Sequence, residues 1–231
     1  MIIQFLPQLI QKKFVLASAS PRRRELLTNI GVKFEVIPSS FDELLPHKDY
    51  PRAADYATAT ALQKALEVAK THGSGTPSHP SRPVDIVIGA DTVVEHGGLI
   101  LEKPADAADA LSMLRRLSGG QHHVHTGVAV VLPQAIDPVT GVPPYVRTFS
   151  CTTAVQFDTL SDEAIHAYIA TGEPFGKAGS YGIQGPAGAF VKGIDGCYFN
   201  VMGFPLHEFT SQLASLIAGG QLPLKVEDVV E

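Results

Sequence analysis

The chain has 231 residues, 45% of them hydrophobic, enough to bury a substantial core as one large domain or two lobes. Its formal net charge of −5 argues against a protein held to nucleic acid or to an anionic membrane by bulk positive charge, and no run reaches the ~18 apolar residues of a membrane span. Cys151 and Cys197 stand far apart with no paired motif, which fits reduced thiols in a cytoplasmic-type protein better than a disulfide framework.

Met1 to Leu6 is apolar, but Lys12 and Lys13 follow it rather than precede it. That order is wrong for a secretory signal, so residues 1–13 read as a packed N-terminal extension. Phe14-Val15-Leu16-Ala17 is then a short buried strand, and Ser20-Pro21 opens a helix as N-cap and first helical residue. Leu26, Leu27 and Ile30 give that helix an apolar face, and Gly31 ends it.

Arg22, Arg23 and Arg24 crowd the positive end of this helix's dipole, which is unfavourable unless an anion sits among them. With the Ser18 and Ser20 hydroxyls and the free backbone N–H groups they compose a phosphate site. The competing reading is a solvated basic turn. The phosphate reading is preferred, because strand–turn–helix N-termini are where α/β proteins bind phosphates.

Phe34 to Ile37 reads as a second strand, followed by a polar turn carrying Asp42 and Glu43. Ala54, Ala57, Ala61, Ala65 and Val68 recur at helical spacing between Pro51 and Thr71, with Lys64 beside the apolar stripe. Residues 71–83 are rich in Gly and Pro and read as a surface loop. Asp85 to Ala90 reads as a buried parallel strand with Asp91-Thr92 at its C-terminal end, where α/β folds place their sites. A turn-forming or capping role competes for the same aspartate.

A turn at Glu95–Gly98 precedes a strand that Pro104 stops after Glu102-Lys103. Asp106–Leu117 is an amphipathic helix, Thr126–Leu132 a strand, and 133–144 a second Pro/Gly-rich excursion. Val146–Phe157 is extended, Ser161 caps a helix carrying Ile165 and Tyr168, and Leu206 to Leu216 is the last helix. Strands and helices alternate, so the class is α/β or α+β with a largely buried sheet.

Other motifs carry less. His123 and His125 share a strand face without a third ligand at zinc spacing, which favours a structural or exposed role. Gly172-Glu173-Pro174-Phe175-Gly176-Lys177-Ala178 is one residue short of a P-loop and lacks its Ser/Thr. The glycines at 182, 185 and 188 have the wrong spacing for a dinucleotide fingerprint, although a glycine-rich loop bearing Gln184 lets backbone and amide approach a ligand closely. No Gly-x-Ser-x-Gly follows a strand.

Four ordered stretches resemble one family closely: Leu16-Ala17-Ser18-Ala19-Ser20-Pro21-Arg22-Arg23, Gly89-Ala90-Asp91-Thr92-Val93-Val94, Glu102-Lys103-Pro104 and Ser180-Tyr181-Gly182-Ile183-Gln184-Gly185. The chain resembles the Maf-family nucleoside triphosphate pyrophosphatases from about Phe14 to Leu213. The resemblance implies an inosine-triphosphatase-like, two-lobed α/β fold with a long mixed central sheet and a cleft between the lobes. The family domain would then span 14–218, with 219–231 a C-terminal tail.

It also implies hydrolysis of a nucleoside triphosphate to the monophosphate and pyrophosphate with a divalent metal, Mg²⁺ first and Mn²⁺ or Co²⁺ as alternatives. A cytoplasmic homodimer that cleans the nucleotide pool, linked to septum formation, belongs to the same expectation. By position, Asp91 would accept the proton of the attacking water, and Glu43 and Asp91 would hold the metal. Ser18, Arg22, Arg23 and Lys103 would grip the triphosphate, and Asp91, Glu43 and Lys103 would make up the catalytic set. Arg22, Thr92 and Gln184 match positions tied to base choice, and Lys64 matches a lysine of the substrate cleft.

The form of the Gln184 loop resembles the branch that prefers dTTP and UTP. A purine or 7-methyl-GTP pyrophosphatase is the alternative within the class, and a nucleotide-binding division regulator with little turnover the alternative outside it. The chain departs from the family at His125, where tyrosine is usual, at Pro186-Ala187, and in its two Pro/Gly-rich insertions.

Overall fold

The computed structural model describes residues 2–42 and 45–224. They form one mixed sheet of seven strands: β1 (Phe14–Leu16), β2 (Phe34–Val36), β3 (Ile86–His96), β4 (Leu99–Leu101), β5 (Gln121–Leu132), β6 (Tyr145–Phe157) and β7 (Val191–Asp195). The order is β2-β1-β3-β5-β6-β7, with β4 paired to β3. β1 is parallel to β2 and to β3, while the β3–β5–β6–β7 ladder and the β3–β4 hairpin are antiparallel. The helices are α1 (Leu6–Leu9), α2 (Pro21–Asn29), α3 (Ala53–His72), α4 (Ala107–Leu117), α5 (Asp162–Ala170), α6 (Tyr198–Val201) and α7 (Leu206–Ala218).

Alternation along β3 sorts the core. Its even residues Ile86, Ile88 and Ala90 join a cluster with Leu26 and Leu27 of α2 and with Phe209, Leu213 and Leu216 of α7. Ile2 and Leu9 are buried in that same cluster, so the N-terminal segment is packed as expected. Val94 joins a second cluster with Leu114 and Leu117 of α4, Ile165 and Tyr168 of α5, and Phe157. The odd residue Val87 packs with Ala61, Ala65 and Val68 of α3 on the opposite face.

Two readings of the sequence are corrected, and one stretch to which no element was assigned gains structure. The strand expected to stop at Ala90 runs on to His96, so Asp91 stands inside a strand. It runs on because β5 pairs with it continuously from Val87 to Glu95, a long-range ladder that a local apolar pattern does not announce. β5 likewise opens at Gln121, so the histidine-rich stretch is part of the sheet. In the glycine-rich run after 179, β7 and α6 form, with β7 pairing to the end of β6.

The 71–83 stretch is a tethered turn. Thr76 and His79 form a bridge, and Glu35 Oε2 accepts from Lys13 Nζ at 2.7 Å, from the Thr76 hydroxyl at 2.6 Å and from the Ser78 hydroxyl.

Candidate active site

β3 carries β5 along one edge and two short strands along the other. β1 pairs with it only as far as Ile88, and β4 takes up pairing again at Val94. Between them the edge at Gly89–Val93 has no strand beside it, and the chain leaving β1 turns away there through Ala17–Ser20 into α2. The result is a cleft of about 600 Å³, lined by Ser18, Ser20 and Arg22 where β1 leads into α2, at its floor by Asp91 and Thr92 of β3, and by Phe175, Lys177 and Tyr181 from the stretch after α5. Lys64 and Lys103 also line it.

Asp91 and Lys64 are 6% and 7% exposed and form an ion pair with Lys64 Nζ 2.8 Å from Asp91 Oδ1. Lys64 reaches the sheet because α3 lies unusually close to it. Gly89 and Gly127 present no side chain there, and a Cβ at either would overlap the helix backbone at Ala61 or Thr58. Gly127 is the register partner of Asp91 on β5. Two glycines therefore seat the helix that delivers the lysine.

The three arginines of α2 separate by environment. Ser20 caps the helix by accepting from the Arg23 backbone N–H, with Pro21 at the first helical position, as read from the sequence. The Arg23 side chain is 9% exposed and donates from Nε to the Gly203 carbonyl at 3.0 Å, from Nη1 to Ser18 Oγ at 3.1 Å and from Nη2 to Thr92 Oγ1 at 2.9 Å. It is a strut tying α2 to β3 and to the turn after α6. Arg22 faces the cleft, and Arg24 is exposed.

Beneath Arg23 a polar ladder crosses the sheet. The Thr126 hydroxyl donates to the Asn200 carbonyl at 3.2 Å, so its oxygen accepts from Thr92 at 2.9 Å, and Asn200 Nδ2 donates to the Val124 carbonyl at 2.9 Å. Ser18, Arg22, Arg23, Lys64, Asp91, Thr92 and Lys103 thus meet at one cleft. Gln184 is exposed on its loop and is not among the lining residues. Glu43 lies outside the described residues.

Sequence reading missed Lys177, Phe175 and Tyr181 as cleft residues, since their stretch announces itself only as an imperfect P-loop. Tyr181 is buried, which pushes its phenol upward, and it is hydrogen-bonded to His122 Nε2 at 2.8 Å. Burial, and then the neighbouring His96 and His123, bring His122 down to about 3, so the imidazole is neutral. His123 and His125 stack at 6.1 Å beside Glu95 and do not line the cleft. Among the described residues no group of three or more His, Cys, Asp or Glu side chains is arranged to hold a metal ion.

A buried carboxylate locked to a lysine, in a cleft also lined by Arg22 and Lys103, suits hydrolysis of a polyanion. A family model described as "Maf-like protein" matches residues 13–216. A human probable bifunctional dTTP/UTP pyrophosphatase/methyltransferase protein is 48% identical over 90% of this chain, which spans 33% of that protein. The dTTP/UTP pyrophosphatase of Bacillus cytotoxicus is 44% identical over 90% of this chain and 97% of its own length. That of Pelotomaculum thermopropionicum is 41% identical over 87% and 95%. A solved structure, the Staphylococcus aureus Ham1 protein, aligns with a TM-score of 0.36 at 14% identity over 63% of this chain and 72% of that one, and adds no weight.

Proposed function

The chain belongs to the Maf-like family, and from that membership we propose that it hydrolyses dTTP and UTP to the monophosphate and pyrophosphate. Modified pyrimidine triphosphates fall in the same reading, as substrates of a nucleotide-pool cleaning enzyme. The observation that supports it best is the buried Asp91–Lys64 pair on the floor of a cleft walled by Arg22.

The residues divide the work by charge. Asp91 takes the proton of the water that attacks phosphorus, and Lys64, bonded to Oδ1, holds the carboxylate in one orientation. Arg22 and Lys103 neutralise the polyphosphate as negative charge moves onto the departing pyrophosphate. Ser18 and Thr92 hold the Arg23 strut and so fix the loop through which α2 meets the cleft.

Among the described residues Asp91 is the carboxylate that lines the cleft, and Mg²⁺ fits there because a hard cation shared with substrate phosphates needs only one or two protein carboxylates. Asp91 would hold it together with Glu43. When bound, the cation supplies further charge neutralisation and a more acidic water.

A nucleotide panel with pyrophosphate detection and Mg²⁺ present tests the reading. Turnover of dTTP and UTP above purine triphosphates is expected, and a preference for purines or 7-methyl-GTP overturns the base assignment. Inertness toward every triphosphate overturns the activity. The family also carries the expectation of a cytoplasmic homodimer linked to septum formation, and sedimentation velocity reads its first part.

A further inference from the structure

Arg22 and Lys177 line the same cleft, one on the first turn of α2 and the other on the loop after α5. Among the described residues Arg22 has no hydrogen bond or ion pair, and the acid Glu173, the phenol Tyr168 and the Lys177 ammonium act on its charge. Lys177 makes one bond, from Nζ to the Glu173 carbonyl. Its stem lies on Gly182, where a Cβ would come within 2.9 Å of Lys177 Cε. The ammonium is thus aimed by its own backbone and by the loop that carries Gln184.

Both cations are held where charge is disfavoured. Burial lowers Arg22, with Tyr168 and Glu173 opposing. Burial and then the Arg22 charge lower Lys177, with Glu173 opposing. Two cations share one carboxylate in a half-buried place, which leaves positive charge that the described residues do not neutralise. A neutral pyrimidine carbonyl would leave that surplus in place, whereas a phosphate oxygen removes it.

We propose that Lys177 contacts the substrate's polyphosphate from the loop after α5, forming with Arg22 of α2 a two-cation anion clamp in the cleft. This rests on the activity proposed above for the same cleft. It also gives a use to the lysine of a segment that resembles a P-loop without being one.

The test titrates wild type, Lys177→Met and Lys177→Arg with inorganic tripolyphosphate by calorimetry, and measures dTTP hydrolysis in parallel. Loss of one charge-assisted contact should weaken tripolyphosphate binding by about tenfold and raise KM for dTTP by a similar factor, with kcat changed by no more than about twofold. Lys177→Arg should recover most of the affinity, and added salt should weaken wild type more than Lys177→Met. If Lys177→Met loses its circular-dichroism signature, Lys177→Gln makes the same comparison.

Equal tripolyphosphate affinity in wild type and Lys177→Met overturns the clamp. A changed preference among bases with unchanged tripolyphosphate binding overturns it too, by placing Lys177 at the base. Wild type that binds tripolyphosphate but hydrolyses no nucleotide overturns the activity instead, and the binding comparison still decides the clamp.

Discussion

Arg22 and Arg23 differ by one step of about 100° around α2, and that rotation gives them different surroundings. Arg23 turns inward, where its fork is bonded to Gly203, Ser18 and Thr92. Arg23→Met would leave these acceptors short of donors in a buried setting, and a loss of about 2–4 kcal/mol in urea denaturation is expected. Arg22 has no such partners among the described residues, so Arg22→Gln should leave the denaturation midpoint almost unmoved and raise KM for dTTP. Asp91→Asn keeps the shape of the floor but loses the proton acceptor. Its turnover should fall by about 10²–10⁴ while nucleotide binding persists, and unchanged turnover would remove Asp91 from the chemistry.

At the scale of elements, the cleft exists because two strands on one edge of β3 are too short to meet. β1 ends its pairing at Ile88 and β4 begins at Val94. The active face also depends on the distance between α3 and the sheet, which Gly89 and Gly127 set. Gly127→Ala would push the helix backbone outward, carrying Lys64 away from Asp91. A loss of about 1–3 kcal/mol from overpacking is expected, together with a drop in kcat that an ordinary destabilised core variant, assayed well below its melting temperature, would not show. Full activity in a stably folded Gly127→Ala would refute the seating role.

For the whole molecule, pH sensitivity follows from titratable groups that take no part in the chemistry. His122 has a folded pKa of about 3 against 6.5 unfolded, so the unfolded chain takes up the proton first. Its contribution is complete above 6.5 and is lost as pH falls toward 3, at up to about 1.4 kcal/mol per unit. His125, lowered by burial, adds in the same direction. Burial alone would raise Glu35, but hydrogen bonds from Lys13, Ser78 and Thr76 outweigh it and hold the carboxyl at about 2 against 4.5. Glu35 therefore acts only below 4.5. Denaturation between pH 6.5 and 4.5 should show falling stability in wild type and a flatter profile in His122→Gln, and parallel profiles would show that His122 titrates normally.

The α2 start was legible in the sequence because capping is local: Ser20, Pro21 and Gly31 act within one or two turns of themselves. Strand and helix alternation, the apolar face of α3 and the family motifs were legible for the same reason, since each is a pattern of near neighbours. The sequence could not divide Arg22 from Arg23, because the partners of Arg23 lie up to 180 positions away, at Gly203. Nor could it carry β3 past Asp91, since that extension depends on pairing with β5. Lys177 and Arg22 share a cleft only because the fold brings together residues 22 and 177, 155 positions apart in the chain. Local chemistry determined the elements and the residue types of the site. Which of those residues share a cleft, and which are tied into the frame, was decided by contacts that exist only once the sheet has closed.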